Sequence, residues 1–166
     1  MREFRDRSGA LARMNIGSKV LYSAFLGFVL LGFVSSLALY YDSLGLDLTS
    51  HAEHYLGNEA DTESMEILLA KPVRELLEVS HFHLFTMPVL LLILGHLFLL
   101  ARGGIWRMWV LLLAILSTAA HVAGPWAIHF GGPGWSWLMA ASGLPFVGSY
   151  MLMGGWSFVD MWRRPT

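Results

Sequence analysis

Residues 20–41 read VLYSAFLGFVLLGFVSSLALYY, twenty-two positions without a charged side chain. A helix rising about 1.5 Å per residue needs about 20 mainly apolar residues to cross a hydrocarbon layer about 30 Å thick. The stretch therefore predicts a spanning helix. The basic segment before it resembles the n-region of a signal peptide. However, the apolar length exceeds the usual ~7–15 residues, and no small-x-small cleavage site precedes Tyr40 and Tyr41, so a retained anchor is predicted.

Three further apolar runs follow. Residues 82–101 contain His83, His96 and Pro88; residues 105–123 form a shorter run; residues 135–159 are rich in glycine. The fold class predicted is all-α: a single integral membrane domain over residues 1–166, built as a four-transmembrane-helix bundle. Composition agrees. Hydrophobic residues make up 55% and charged residues 14% of the 166, against about 25% charged in a soluble domain. The near-zero net charge of −1 gives no reason to expect a nucleic-acid partner. Cysteine is absent, which excludes disulfides, thiolate-held iron–sulfur clusters and C-x-x-C-H haem attachment.

The distribution of charge orients the bundle. Arg2, Arg5, Arg7, Arg13, Lys19, Arg102, Arg107, Arg163 and Arg164 all fall on one side if the chain crosses four times, leaving only Lys71 and Arg74 opposite. The positive-inside rule then predicts both termini in the cytoplasm (N-in/C-in). The outer loop, residues 42–80, is acidic and is expected to hold short interfacial helices: one opened by a capping box at Ser50 and Glu53, then pieces over 64–70 and 72–79 separated at Pro72. Residues 124–134 (GPWAIHFGGPG) read as a tight outer loop. Tyr40, Tyr41, Trp126, Trp135 and Trp137 would form an outer aromatic belt, with Trp106, Trp109, Trp156 and Trp162 at the inner face.

Ionisable residues inside a bilayer are costly and mark functional sites. His81 and His83 open the second span from outside, and His121 lies near the outer end of the third. The short 102–107 turn places His83 and His121 at similar heights on neighbouring helices. Two imidazoles so arranged suit axial ligation of a b-type haem iron, with His81 as the first substitute and Ala119, Ala120, Ala123 and Gly124 leaving room for a flat ring. His96 lies deeper, roughly 60° around the helix from His81 and roughly 140° from His83, which would put His81 and His96 on the bundle-facing side. A packing role competes with ligation for each of these. His51, His54 and His129 read as surface or interface histidines, and a metal site built from His51, His54, His81 and His83 is a further alternative.

At His83, His96 and His121 the chain resembles the small four-helix membrane cytochromes b. The resemblance rests on helix count and histidine placement, and departs from two-haem members because the first and fourth spans carry no histidine. It implies haem b, with quinone possible near the outer belt and His129 or Glu78 as proton acceptors. It also implies a subunit of a respiratory or photosynthetic electron-transfer complex rather than a catalyst alone. Expected partners are other membrane subunits, the lipid bilayer and a periplasmic redox protein docking on the acidic loop. The expected location is a bacterial inner membrane. The rival expectation is a cofactor-free subunit that scaffolds a membrane complex.

Overall fold

A computed structural model describes residues 10–43, 47–58 and 67–164. Among these every regular element is helical: a 3-10 turn at Leu11–Arg13, then α1 (Ile16–Ser43), α2 (Leu48–Leu56), α3 (Val73–Leu100), α4 (Trp106–Gly131), a 3-10 turn at Pro133–Trp135, and α5 (Ser136–Trp162). Four helices are long and apolar enough to cross a membrane, α1, α3, α4 and α5. The start of α1 and the end of α5 share one end of the bundle, where Trp162 Nε1 donates to Ser23 Oγ at 3.0 Å. Arg102 pairs with Asp160 at this same terminal face. At the opposite end Trp126 Nε1 donates to Ser80 Oγ at 2.6 Å.

The helices outrun the apolar stretches that betray them. The second span begins at Val73, not residue 82, so the segment 72–79 is its first turns rather than a separate interfacial piece. Pro72 supplies the extended N-cap, and the i,i+4 pairs Lys71–Glu75 and Arg74–Glu78 line the projecting turns. The third span runs on through the expected loop at 124–134 and ends at Gly131, with Pro125 inside it. A proline removes one backbone donor, and membrane helices tolerate this where neighbours re-satisfy the freed groups. Gly132, at φ 90, then turns the chain where a side chain would be strained.

α2 starts behind Asp47 in extended conformation, so Ser50 lies inside the helix and the expected capping box is not its start. Residues 67–70 are not helical, and the rest of the expected 64–70 piece lies outside the described residues. A clasp of hydrogen bonds closes α2 against the chain before α3. Asn58 N donates to Leu68 O (3.0 Å), Leu68 N to Asn58 Oδ1 (2.7 Å) and Lys71 N to Tyr55 O (3.1 Å). Gly57 makes the clasp possible: its φ is +78, and a Cβ there would stand 2.7 Å from Ala70 N and 2.8 Å from Leu68 O. Gly57→Ala is expected to loosen α2 by about 1–3 kcal/mol, read as at least several-fold faster amide exchange in α2 with the spans unchanged.

Buried positions of α3 step by three and four: Leu76, Ser80, His83, Met87, Leu90, Leu94, Leu97 and Ala101 are all buried or half-buried. In α4 the same stepping joins Arg107, Val110, Ala114, Ser117, His121, Gly124 and Ile128. This is the seam of knobs-into-holes packing. α5 is the hub of the bundle, with Tyr150, Met153 and Met161 fully buried. α1 is peripheral and meets α5 mainly through Leu26 and Phe33. Phe33 packs on Phe146 and Tyr150 with ring centroids 5.8 and 5.5 Å apart.

The terminal end is closed by charge. Arg107 is buried, and its guanidinium donates to the carbonyls of Leu99 (2.9 Å), Gly103 (2.9 Å), Phe98 (3.3 Å) and Ala101. The last carbonyls of a helix have no intrahelical partner, and a cation there also complements the helix dipole. Asp160, fully buried, accepts from Arg102 Nε (2.7 Å) and from Arg102 N (3.1 Å). Trp156 Nε1 donates to Arg102 O at 2.7 Å, which fixes the α3–α4 turn onto α5.

Candidate functional site

His83 lies 17 residues before the end of α3, and His121 lies 15 residues after the start of α4. Helical rise places them roughly 26 and roughly 22 Å from the connecting turn, which is nearly the same height. Both are half-buried members of the two seams. The structure thus places the two residues that sequence spacing paired at similar heights on neighbouring helices.

Each ring has its Nδ1 at a protein oxygen. His83 Nδ1 meets the Val79 carbonyl at 2.8 Å. A carbonyl only accepts, so Nδ1 is the donor in that contact. His121 Nδ1 lies 3.4 Å from Ser142 Oγ, which also lies 3.1 Å from Met139 O. A hydroxyl that gives its hydrogen to Met139 O accepts from His121 Nδ1, and one that gives it to Nδ1 leaves the proton on Nε2. Neither Nε2 makes a hydrogen bond to a described residue. The His121 ring is oriented by Phe146, stacked with centroids 5.2 Å apart and planes 11° apart.

The other histidines separate from this pair. His81 and His96 are both exposed on the outside of the bundle, so the expectation that they share its inner side is corrected. The phase is set by Leu94, Leu97 and Phe98, whose burial turns the intervening His96 outward. His96 borders a shallow apolar groove of about 340 Å³ with Pro88, Leu91, Leu92, Gly95, Leu99 and Leu111. His81 lies against Phe85, centroids 4.8 Å apart. His54 packs edge-on against Tyr55 at 4.9 Å. Among the described residues no group of three or more histidines and carboxylates is close enough to hold a metal ion, so the site imagined from His51, His54, His81 and His83 is not assembled.

His51 is the residue that spacing misplaced. It is fully buried rather than superficial, because α2 folds down over the ends of α1, α4 and α5 away from the terminal face. Its Nε2 is hydrogen-bonded to the Tyr40 hydroxyl, and its buried Nδ1 has no hydrogen-bond partner among the described residues. Ile128 and Met139, with Tyr40, Tyr55 and Leu56, form the apolar plug around it. His129 sits in the last turn of α4 rather than in a loop, with Nδ1 buried and without a hydrogen-bond partner among the described residues. Glu78 is engaged with Arg74 at 2.9 Å.

Of the small residues expected to make room beside His121, Gly124 is closed off by the Met139 side chain, which a Cβ there would strike. Ala119 and Ala123 are exposed on the outer surface of the bundle.

Tyr55, on α2, has its phenol pushed up to about 12, first by burial and then by the neighbouring Tyr40 and Glu75. A raised folded-state value means that this group's contribution is whole below pH ~10, its unfolded value, and is lost as pH rises toward 12. The α2 cap is therefore expected to loosen across that alkaline window. Tyr55→Phe should flatten the dependence when α2 amide protection is followed against pH.

No curated protein and no solved structure matches the chain. One family model does, Aq_1264_TM, described as a transmembrane helical domain, over residues 45–166. The matched segment takes in α2 to α5 and all seven histidines, and leaves out α1, the least buried span. The four apolar helices and this match together make the protein a multi-pass integral membrane protein. The chain belongs to the Aq_1264_TM family of transmembrane helical domains.

Proposed function

We propose that the protein is a haem-b-binding membrane subunit of an electron-transfer assembly, in which His83 and His121 would hold the iron. The observation that carries this reading is the placement of His83 and His121 on the seams of neighbouring helices at nearly equal height, each with its Nδ1 at a protein oxygen. An Nδ1 that donates there leaves the Nε2 lone pair for a metal. Metal-bound histidines characteristically donate their second ring nitrogen in this way, which fixes ring orientation and raises basicity. The donor set, two neutral imidazoles on facing helices without a thiolate, fits haem iron.

Haem held by two histidines supplies one-electron transfer. The protein's own contribution is orientation: Val79 and Phe82–Phe85 backbone turns hold His83 on its seam, while Ser142 and Phe146 hold His121. The quinol link, docking of a periplasmic redox protein on the acidic loop, and residence in a bacterial inner membrane belong to the same proposal. The protein purified from membranes in mild detergent should carry about one b-type haem per chain by the pyridine haemochromogen assay. A chain that folds and assembles from haem-replete cells without any haem overturns the reading.

A second reading draws on the same stack. An imidazole bonded to Ser142 and covered by Phe146 is also a satisfied packing residue, as a cofactor-free scaffolding subunit would require. The haem assay separates the two.

A further inference from the structure

We propose that the terminal face of the α1–α5 seam binds the phosphate of an anionic phospholipid. Four cations gather there: Arg13, Lys19, Arg163 and Arg164. Arg13, Lys19 and Arg163 are held in place. Leu11 and Ala12 are buried, so the 3-10 turn carrying Arg13 is fixed against α5. Lys19 Nζ donates to Ala12 O at 3.0 Å and lies 5.7 Å from the centre of the Trp162 ring. Trp162 is itself tied to Ser23, and the Arg163 guanidinium lies 5.5 Å from the centre of the Trp156 ring.

Charge makes an anion the complement. Among the described residues the one carboxylate at this end is Asp160, which is buried and taken by Arg102. The four cations form no salt bridge with a described residue. What selects a lipid over a soluble anion is the surface just below. Ile16, Val20 and Leu21 are largely exposed along the first turns of α1, where an acyl chain would lie while its phosphate meets Lys19. Tryptophan indoles at this level are the usual markers of the headgroup layer. Each basic residue near an anionic headgroup contributes enough to change occupancy about five-fold.

The test uses the full chain in nanodiscs of equal phosphatidylglycerol and phosphatidylcholine, with retained lipids counted by native mass spectrometry after detergent extraction. Phosphatidylglycerol should be retained preferentially. Lys19→Gln with Arg163→Gln should lower its retention more than ten-fold, while Lys19→Arg preserves it and Arg74→Gln at the opposite face leaves it unchanged. A matched circular dichroism spectrum shows that the variants fold. Equal retention of the two lipids, or a double variant that retains phosphatidylglycerol as before, overturns the proposal. So does release of the lipid by inorganic phosphate alone, which would assign the cations to a free anion.

Discussion

Replacing Asp160 with leucine is expected to be among the most damaging single changes to the fold, costing roughly 2–4 kcal/mol. The carboxylate is fully buried and accepts both the side-chain and the backbone N–H of Arg102. Removing it takes the carboxylate partner from a guanidinium that is itself only 29% exposed. The Trp156 bond to Arg102 O still ties the turn joining α3 to α4 onto α5. Leaving one charge of a buried pair unpartnered costs more than deleting both. The double variant Asp160→Leu with Arg102→Leu should therefore recover a large part of the loss. Thermal unfolding in detergent micelles, run as a four-member cycle, checks both statements. Additive losses would show that the pair is incidental.

His121→Ala and His83→Ala are each expected to abolish stoichiometric haem b, whereas His81→Ala and His96→Ala should leave it bound. The distinction follows from placement. His83 and His121 sit on the two buried seams at nearly equal height, each with its Nδ1 at a protein oxygen. His81 and His96 point away from the bundle. Ser142→Ala should weaken haem retention without abolishing it, by about ten- to a hundred-fold in affinity, the usual effect of removing a hydrogen-bond partner of a metal-bound histidine. Haem content per folded chain measures all five. Full haem in both His83→Ala and His121→Ala would remove the ligand assignment.

Much of this architecture is legible in the sequence, for a physical reason. In hydrocarbon every backbone group must bond internally, so apolar length alone announces a helix. The number of spans, and the gathering of basic residues at one end, follow from that. The helix ends are less legible because α3 begins with charged turns outside the apolar run, and α4 carries Gly124 and Pro125, which in water would signal a loop. The similar heights of His83 and His121 were legible from their distances to the connecting turn. Their shared seams were also written in the spacing of Met87, Leu90, Leu94 and Leu97, and of Ala114, Ser117, Gly124 and Ile128. Reading angles from His81 to His96 without that seam gave the opposite face.

Other features could not be read from a single segment. His51 is buried only because α2 folds back to meet Tyr40, a contact made by tertiary structure. Asp160 on α5 and Arg107 on α4 find their partners around the turn after α3, a meeting made by tertiary structure.

The central claim is that two histidines of one chain hold a haem b. Electron paramagnetic resonance of the oxidised, purified protein tests it most directly. The account predicts a low-spin ferric signal of the two-imidazole type, unchanged in His96→Ala and lost in His121→Ala. A high-spin signal, or the same low-spin signal persisting in His121→Ala, would contradict it.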